Sequence, residues 1–240
     1  MSISVIIPVF NEEKQIFSTL KKLKLIKKKI KKYEIIFIDD FSTDKSFFLI
    51  KKHATKNNHI KIFRNRKKGL GSAIETGIKK SKNYYICFFM CDLSDDIRDL
   101  IKYYNIIKKY NKIDAVFGSR FLKNSKINNY PIIKLLLNRF ANNIIRLCYF
   151  SKYNDFTNAF KIYKKNTLLK LFPLISESFN IFLEIPLKII NRKYNYKIIP
   201  INWYGRKKGN SKFNIEELGS MYIFTLLYCL IEKILLMKKK

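Results

Sequence analysis

The stretch NYYICFFMCDLSDD, residues 83 to 96, decides how the chain folds. Its apolar part, YYICFFM, is short and rich in aromatic residues, as expected of a strand buried on both faces rather than of a helix. The run ends abruptly in three carboxylates, Asp92, Asp95 and Asp96. Acids are scarce here, with 18 Asp and Glu against 49 Lys and Arg. A buried strand that delivers several of them to its carboxyl end raises the question of what they hold.

The same unit recurs on either side of that strand. ISVIIPVF (3 to 10) reads as a buried strand, and NEEKQIFSTLKKLKLI after it as a helix, with Ile16, Leu20 and Leu23 at helical spacing and acids in the first turn. YEIIFIDD (33 to 40) is a second strand ending in carboxylates, followed by a turn and helix in FSTDKSFFLIKKHA. HIKIFRN (59 to 65) is the third strand, and KKGLGSAIETGIKKS a glycine loop that opens a helix. Beyond residue 96, IRDLIKYYNIIKKY is a helix and IDAVFGSRF (113 to 121) one more strand. This alternation is that of βαβ units, so the class is α/β with a mostly parallel sheet flanked by helices. Ligands of such sheets sit beyond the carboxyl ends of the strands. Pro8 to Glu12, Asp39, Asp40, Asp92 and Gly118 to Arg120 all fall at that rim.

After residue 122 the alternation stops. YPIIKLLLNRFANNIIRLCYF (130 to 150) is a helix apolar over much of its circumference. SMYIFTLLYCLIEKILLMKKK (220 to 240) is similar, but its uninterrupted apolar stretch runs only from Met221 to Ile231 before Glu232 and Lys233. That is short of the roughly 20 residues a membrane span needs. An amphipathic helix lying in the headgroup interface, anchored by lysines, is the expectation, with a helix packed on protein as the plain alternative.

The formal net charge is +31, carried mostly by lysines scattered along the chain with Ile and Asn. Such scattering is what a genome poor in G and C would produce, so nucleic acid is not expected, and an anionic membrane surface is the better partner for the charge. Cys87, Cys91, Cys148 and Cys229 show neither metal spacing nor a disulfide framework, which points to reduced cysteines in a cytoplasmic protein. MSISVIIPVFNEEKQ lacks a charged n-region and a cleavage pattern, so no signal peptide is expected. No Ser or Cys is paired with a placed His, which leaves covalent hydrolase chemistry without a basis.

Helix capping accounts for Asp95 or Asp96. It does not account for Asp39, Asp40 and Asp92 at equivalent ends of separate strands. Converging acids suggest a hard divalent cation, Mg²⁺ or Mn²⁺, which takes one or two carboxylates together with substrate phosphates. Lys68, Arg120, Arg206 and Lys207 would complete a phosphate site. The loop GLG (69 to 71) matches neither a Walker nor a dinucleotide fingerprint.

SVIIPVFNEE, EIIFIDDFSTDKS, NRKKGLGSAIETGI, FMCDLSDD and FGSRF, in this order, resemble the family 2 glycosyltransferases, above all their polyprenyl-phosphate sugar synthase branch. DFTNAFKIYKK (155 to 165), FLEIPLKI (182 to 189) and WYGRKKGNSKF (203 to 213) agree. The resemblance implies a GT-A-type Rossmann-like fold in residues 1 to 215, followed by the interface helix in 216 to 240. It also implies a nucleotide-diphosphate sugar donor, a divalent metal and inversion at the anomeric carbon. By the same resemblance Pro8, Phe10 and Glu12 line the nucleotide pocket, and Asp39 or Asp40 holds the base or ribose. Lys68 and Gly69 join the donor-binding set, and Ser211 and Lys212 belong to a segment covering the donor. Asp92 is the acid that remains of an Asp-x-Asp metal motif, because the position two before it is Met90; Asp95 is the second metal candidate. Arg120 and Arg206 meet phosphate. Asp155 is a sugar-binding or base candidate or a structural acid, and Glu184 a site residue or half of a core ion pair.

The reading is an inverting, metal-dependent transferase at the inner face of the cytoplasmic membrane, with polyprenyl phosphate as acceptor and a homo-oligomer as a further option. The alternatives are the same fold acting on an envelope glycan or lipid hydroxyl, and a non-catalytic basic protein that binds membrane or nucleic acid.

Overall fold

Strands β1 (Ile3–Val9) and β2 (Tyr33–Asp39) are buried along their whole length, because helices cover both faces of the sheet they found. The computed structural model describes residues 1 to 205 and 215 to 238, the first four of the latter by backbone alone. Five more strands complete the sheet: β3 (Ile60–Arg64), β4 (Tyr85–Phe88), β5 (Ala115–Ser119), β7 (Lys161–Lys164) and β8 (Tyr196–Pro200). The order is β3-β2-β1-β4-β7-β5-β8, parallel throughout except that β7 runs against both of its neighbours. A short parallel pair, β6 (Lys126–Asn128) and β9 (Asn202–Tyr204), lies apart from it.

Helices α1 (Glu13–Lys29), α2 (Ser46–Ala54) and α4 (Ile97–Lys109) close one face. Ile16, Leu20, Leu100 and Tyr103 pack there against Val5, Ile7, Val9 and Cys87. The other face is closed by α3 (Leu70–Lys80), α6 (Lys165–Lys170), α7 (Ile181–Asn191), the last turns of α5 (Ile132–Tyr149) and α8 (Ile215–Lys238). Ala73, Ile74, Leu168, Leu183, Ile145 and Cys229 meet Ile6, Ile36, Phe88 and Phe117 in that layer.

The chain winds from β1 outward to β2 and β3, then returns to β4 on the opposite side of β1. That reversal makes the crevice above β1 and β4 a topological switch point, where ligands of open α/β sheets bind. Register brings the ends of β1, β2 and β3 level, Val9 pairing with Asp39 and Asp39 with Arg64, whereas the pairing of β4 stops at Phe88, opposite Ile6.

Two features past residue 122 differ from the sequence reading. Among its described residues the region holds four strands as well as helices, including the antiparallel β7 between β4 and β5. KIYK carries a lysine at each end and lacks a strand's usual signature, yet Lys161 is buried, its ammonium donating to the carbonyls of Phe156 (3.0 Å) and Asn158. The expected C-terminal helix is present, but its apolar stretch is longer than the Met221 to Ile231 run suggests. Residues Gly219–Lys238 form 20 helical residues, long and apolar enough to cross a membrane by length and composition. Glu232 and Lys233 do not break the apolar outer face, because both turn toward the protein. Glu232 accepts from Arg192 at 2.7 Å, and Lys233 lies over the rings of Tyr149 and Phe150. Met221, Ile223, Phe224, Leu227, Ile231 and Ile234 are left exposed.

Candidate functional site

Three turns build the rim, one beyond each of β1, β2 and β4. Each contains a residue in the left-handed region: Asn11 (φ 51°), Phe41 (φ 61°) and Leu93 (φ 64°). Asparagine tolerates that conformation, whereas Phe and Leu are strained by it, and strain of this kind gathers at functional sites.

Side chains clamp the first two turns together. The Asn11 amide N–H donates to Ser42 Oγ (3.0 Å), Thr43 N–H donates to Asn11 Oδ1 (2.7 Å), and Glu12 N–H donates to Ser46 Oγ (2.8 Å). Pro8 is in β1, level with Ile38, and Glu12 is buried at the start of α1. Phe10 has one face covered by Lys68, whose ammonium stands 5.5 Å from the ring centroid.

Asp39 and Asp40, adjacent in sequence, have separate roles. Asp40 is spent on the fold: its Oδ1 accepts from Asn65 Nδ2 (2.8 Å) and from the Gly69 amide (2.9 Å). Asp39 is 3% exposed, and its Oδ1 has no hydrogen-bond partner. Burial pushes the Asp39 carboxyl up, against hydrogen bonds from Ser42 and the charge of Arg64. Of the two, Asp39 has the oxygen without a hydrogen-bond partner.

The glycine loop has a different role from the donor contact expected of Gly69. The Gly69 amide is committed to Asp40, and a Cβ on Gly71 would stand 1.9 Å from the carbonyl oxygen of Ser176. Glycine is needed because the 176–177 backbone passes against the loop, with the Gly71 amide donating to the Glu177 carbonyl at 2.9 Å.

The acids after β4 separate three ways. Asp96 caps α4, accepting from the Arg98 amide at 2.9 Å. Asp92 lies partly exposed at the rim and accepts from the Ser94 amide at 3.0 Å. Asp95 turns inward: it is 2% exposed, and its Oδ2 has no partner. Burial and then the neighbouring Asp92 push the Asp95 carboxyl up to about 7, against the Met90 amide and the charges of Lys22 and Arg120. Lys22 holds the loop from below, donating to the carbonyls of Leu93 (3.1 Å) and Asp95 (2.5 Å). Beside it on α1, the Thr19 hydroxyl donates to the Cys91 carbonyl at 3.0 Å.

Asp155 and Arg120 form a buried fork. The Arg120 amide and Nε donate to Asp155 Oδ2 at 2.8 and 2.9 Å, and an Nη donates to Oδ1 at 2.6 Å. Burial disfavours the charged guanidinium, and the Asp155 carboxylate outweighs that effect, so the Arg120 pKa is raised overall. With both oxygens engaged and no exposure, Asp155 positions Arg120. Glu184 is likewise the core-pair alternative of its two readings. It lies 2.7 Å from Lys188 Nζ, one helical turn on, and accepts from the amides of Ile175 (3.0 Å) and Ser176 (2.8 Å). It thereby secures the segment on which the glycine loop rests. Arg206, Lys207, Ser211 and Lys212 lie outside the described residues.

Sequence reasoning missed Lys22 and Asn65, which hold the rim loops in place, and placed Asn11 at the rim within Pro8 to Glu12 without giving it that role. The available signal was on α1, where Thr19 and Lys22 are three apart and so share the stripe facing the acidic loop.

Among the described residues, no group of three or more His, Cys, Asp and Glu side chains could hold a metal ion. The rim offers two neighbouring carboxylates, Asp92 and Asp95, one of them with a buried oxygen lacking a partner. That donor set fits Mg²⁺ or Mn²⁺, which bind through one or two carboxylates and leave their other positions to phosphate oxygens and water.

Residues 4–172 match the family model described as Glycosyl transferase family 2. The "Dolichol-phosphate mannosyltransferase" of Pyrococcus furiosus is 27% identical over 217 residues, spanning 88% of this chain and 59% of that protein. The "Dolichyl-phosphate beta-glucosyltransferase" of Dictyostelium discoideum is 25% identical over 216 residues, spanning 84% of this chain and 66% of that protein. The chain thus spans 59 to 66% of the length of these two relatives. Glucosyl-3-phosphoglycerate synthase from Mycobacterium tuberculosis, solved with Mn²⁺, UDP and phosphoglyceric acid, superposes with a TM-score of 0.72 at 17% identity. The alignment covers 95% of this chain and 78% of that one. The same enzyme solved with Mg²⁺ and UDP gives a TM-score of 0.72 over 95% of this chain and 79% of that one. At such identity the likeness is one of fold, the GT-A type. By the family match over most of its length, the chain belongs to glycosyl transferase family 2.

Proposed function

We propose that the chain transfers a sugar, with inversion, from a nucleotide-diphosphate sugar to a polyprenyl phosphate, using Mg²⁺ or Mn²⁺, at the inner face of the cytoplasmic membrane. The observation that carries this reading is the pair of buried carboxylates with unpartnered oxygens, Asp39 at the end of β2 and Asp95 in the loop after β4, on either side of β1 at the switch point. In a family 2 chain whose relatives bear dolichol-phosphate transferase names, a diphosphate donor and a lipid phosphate acceptor suit that rim.

In the reaction an acceptor phosphate oxygen forms its bond to the anomeric carbon from the face opposite the diphosphate. The bond from that carbon to the diphosphate oxygen breaks, and the nucleoside diphosphate leaves with the electron pair. Asp92 and Asp95 are the residues that would hold the cation. When bound, it supplies charge neutralisation for the departing diphosphate. Arg120, fixed by Asp155, offers a cation that does not need to reorganise for either phosphate. Asp39 holds the nucleoside end.

The engagement of the acids supports one acceptor class over the other. A hydroxyl acceptor needs a general base. Both candidates from the sequence, Asp155 and Glu184, have their oxygens taken by cations and amides. A phosphate oxygen is already anionic near neutral pH and needs no base, so the geometry favours the lipid phosphate over a glycan hydroxyl.

The membrane reading rests on α5 and α8. Ile133, Leu136, Phe140 and Leu147 of α5 stand exposed, as do Phe224, Leu227 and Ile231 of α8, and the Lys233 contact with Tyr149 and Phe150 joins the two helices. Such apolar faces suit a bilayer, whether α8 crosses it or lies in the interface. Leu227→Glu with Ile231→Glu should release the full chain from anionic liposomes in a sedimentation assay.

The test of function is a transfer screen. UDP-glucose, UDP-N-acetylglucosamine and GDP-mannose are offered with Mn²⁺ or EDTA, with and without undecaprenyl phosphate. Transfer that needs both metal and lipid phosphate is expected. Transfer to hydroxyl acceptors alone would select the rival acceptor class, and absence of binding and turnover would select the non-catalytic protein.

A further inference from the structure

Phe41 is out of place by every local rule. It directly follows the two acids of β2 with φ at 61°, a conformation that a bulky side chain rarely adopts and that glycine takes freely. Its ring is 49% exposed although the residues before it are buried. The position is thus unfavourable twice over, in backbone conformation and in exposed apolar surface. The turn is not loose enough to relax, because Asn11 is bonded to Ser42 and Thr43 immediately after it. Retained strain in a clamped turn at a site rim points to a use for the side chain.

The surroundings indicate which use. The same turn presents Asp39, 3% exposed, whose Oδ1 lacks a partner and accepts only hydrogen bonds when ionised. The rim therefore offers an acceptor for a ring N–H or ribose hydroxyl beside an exposed aromatic face. The other rim aromatic, Phe10, already carries Lys68 on its ring. Two strand spacings, about 10 Å, separate the ends of β2 and β4. That is comparable with the reach of a ribose and diphosphate. A diphosphate at Asp92 and Asp95 would place its nucleoside over the turn after β2.

We propose that Phe41 is the stacking platform for the donor's nucleobase, and that the chain accepts a strained left-handed phenylalanine to hold it there. This rests on the donor reading above and adds the residue that grips the base.

The test compares wild type with Phe41→Gly, Phe41→Ala and Phe41→Tyr, using calorimetric titration with UDP, GDP and inorganic pyrophosphate in Mn²⁺. Loss of one base stack weakens the preferred nucleotide roughly tenfold in both the Gly and Ala variants. Phe41→Tyr keeps wild-type affinity, and pyrophosphate binds all four proteins alike. Relief of strain raises the melting temperature of ligand-free Phe41→Gly by about 2–4 °C. Equal nucleotide affinity in wild type and Phe41→Ala would overturn the proposal, as would equal loss of pyrophosphate binding. A wild type that binds neither UDP nor GDP would instead overturn the donor reading on which it rests.

Discussion

Two sets of buried carboxylates in this protein are treated in opposite ways. Asp155 and Glu184 are fully engaged, each with a cation and backbone amides on its oxygens. Asp39 and Asp95 are as deeply buried, yet each keeps an oxygen without a partner. A buried polar atom left unsatisfied costs about 1–3 kcal/mol, so the second set lowers the stability of the ligand-free fold. The first set builds the scaffold, and the second is completed by what binds.

Substitutions break this contrast in a definite order. Asp155→Asn should be worst for the fold, about 3–5 kcal/mol in urea unfolding, because it leaves Arg120 buried without its counterion. Asp92→Asn should reduce metal-dependent donor turnover roughly 10²–10³-fold with the melting temperature unchanged. Full activity in that variant would remove Asp92 from the site. Glu184→Gln should destabilise by about 2–3 kcal/mol, through Lys188 and the segment under the glycine loop. Asp95→Asn reverses the sign. It should stabilise the ligand-free chain by about 1–2 kcal/mol while turnover falls, since an amide tolerates that site better than a carboxylate does.

The smallest effect is one of pH. Burial raises the folded-state pKa of Asp39 above its unfolded value. Its contribution to stability is therefore present below the ordinary carboxylate range and is lost as pH rises through the raised value. Thermal melts of Asp39→Asn should show a shallower decline across that interval than those of wild type; identical profiles would remove Asp39 as the source.

The first half of the fold was legible because β1, β2 and β4 are short, mostly apolar runs closed by polar turns, a pattern set by burial on both faces. β7 was not, because its burial of Lys161 depends on carbonyls from residues 156 and 158, which no periodicity encodes. Carboxylates at strand ends revealed the rim, but not which of them would be satisfied. Asp39 and Asp40 are adjacent and chemically identical; only Asn65 and the Gly69 amide, 25 and 29 residues further on, tell them apart. The length of the apolar face of α8 was not legible for a similar reason: the turning of Glu232 toward Arg192 is a tertiary fact.

The most direct test is an electron paramagnetic resonance titration of Mn²⁺ against wild type and Asp92→Asn, with and without UDP or GDP. If two carboxylates and a diphosphate together hold the cation, wild type binds Mn²⁺ tightly only when nucleotide is present, and Asp92→Asn loses that binding. Equal Mn²⁺ uptake by the two proteins, or uptake indifferent to nucleotide, would contradict the account.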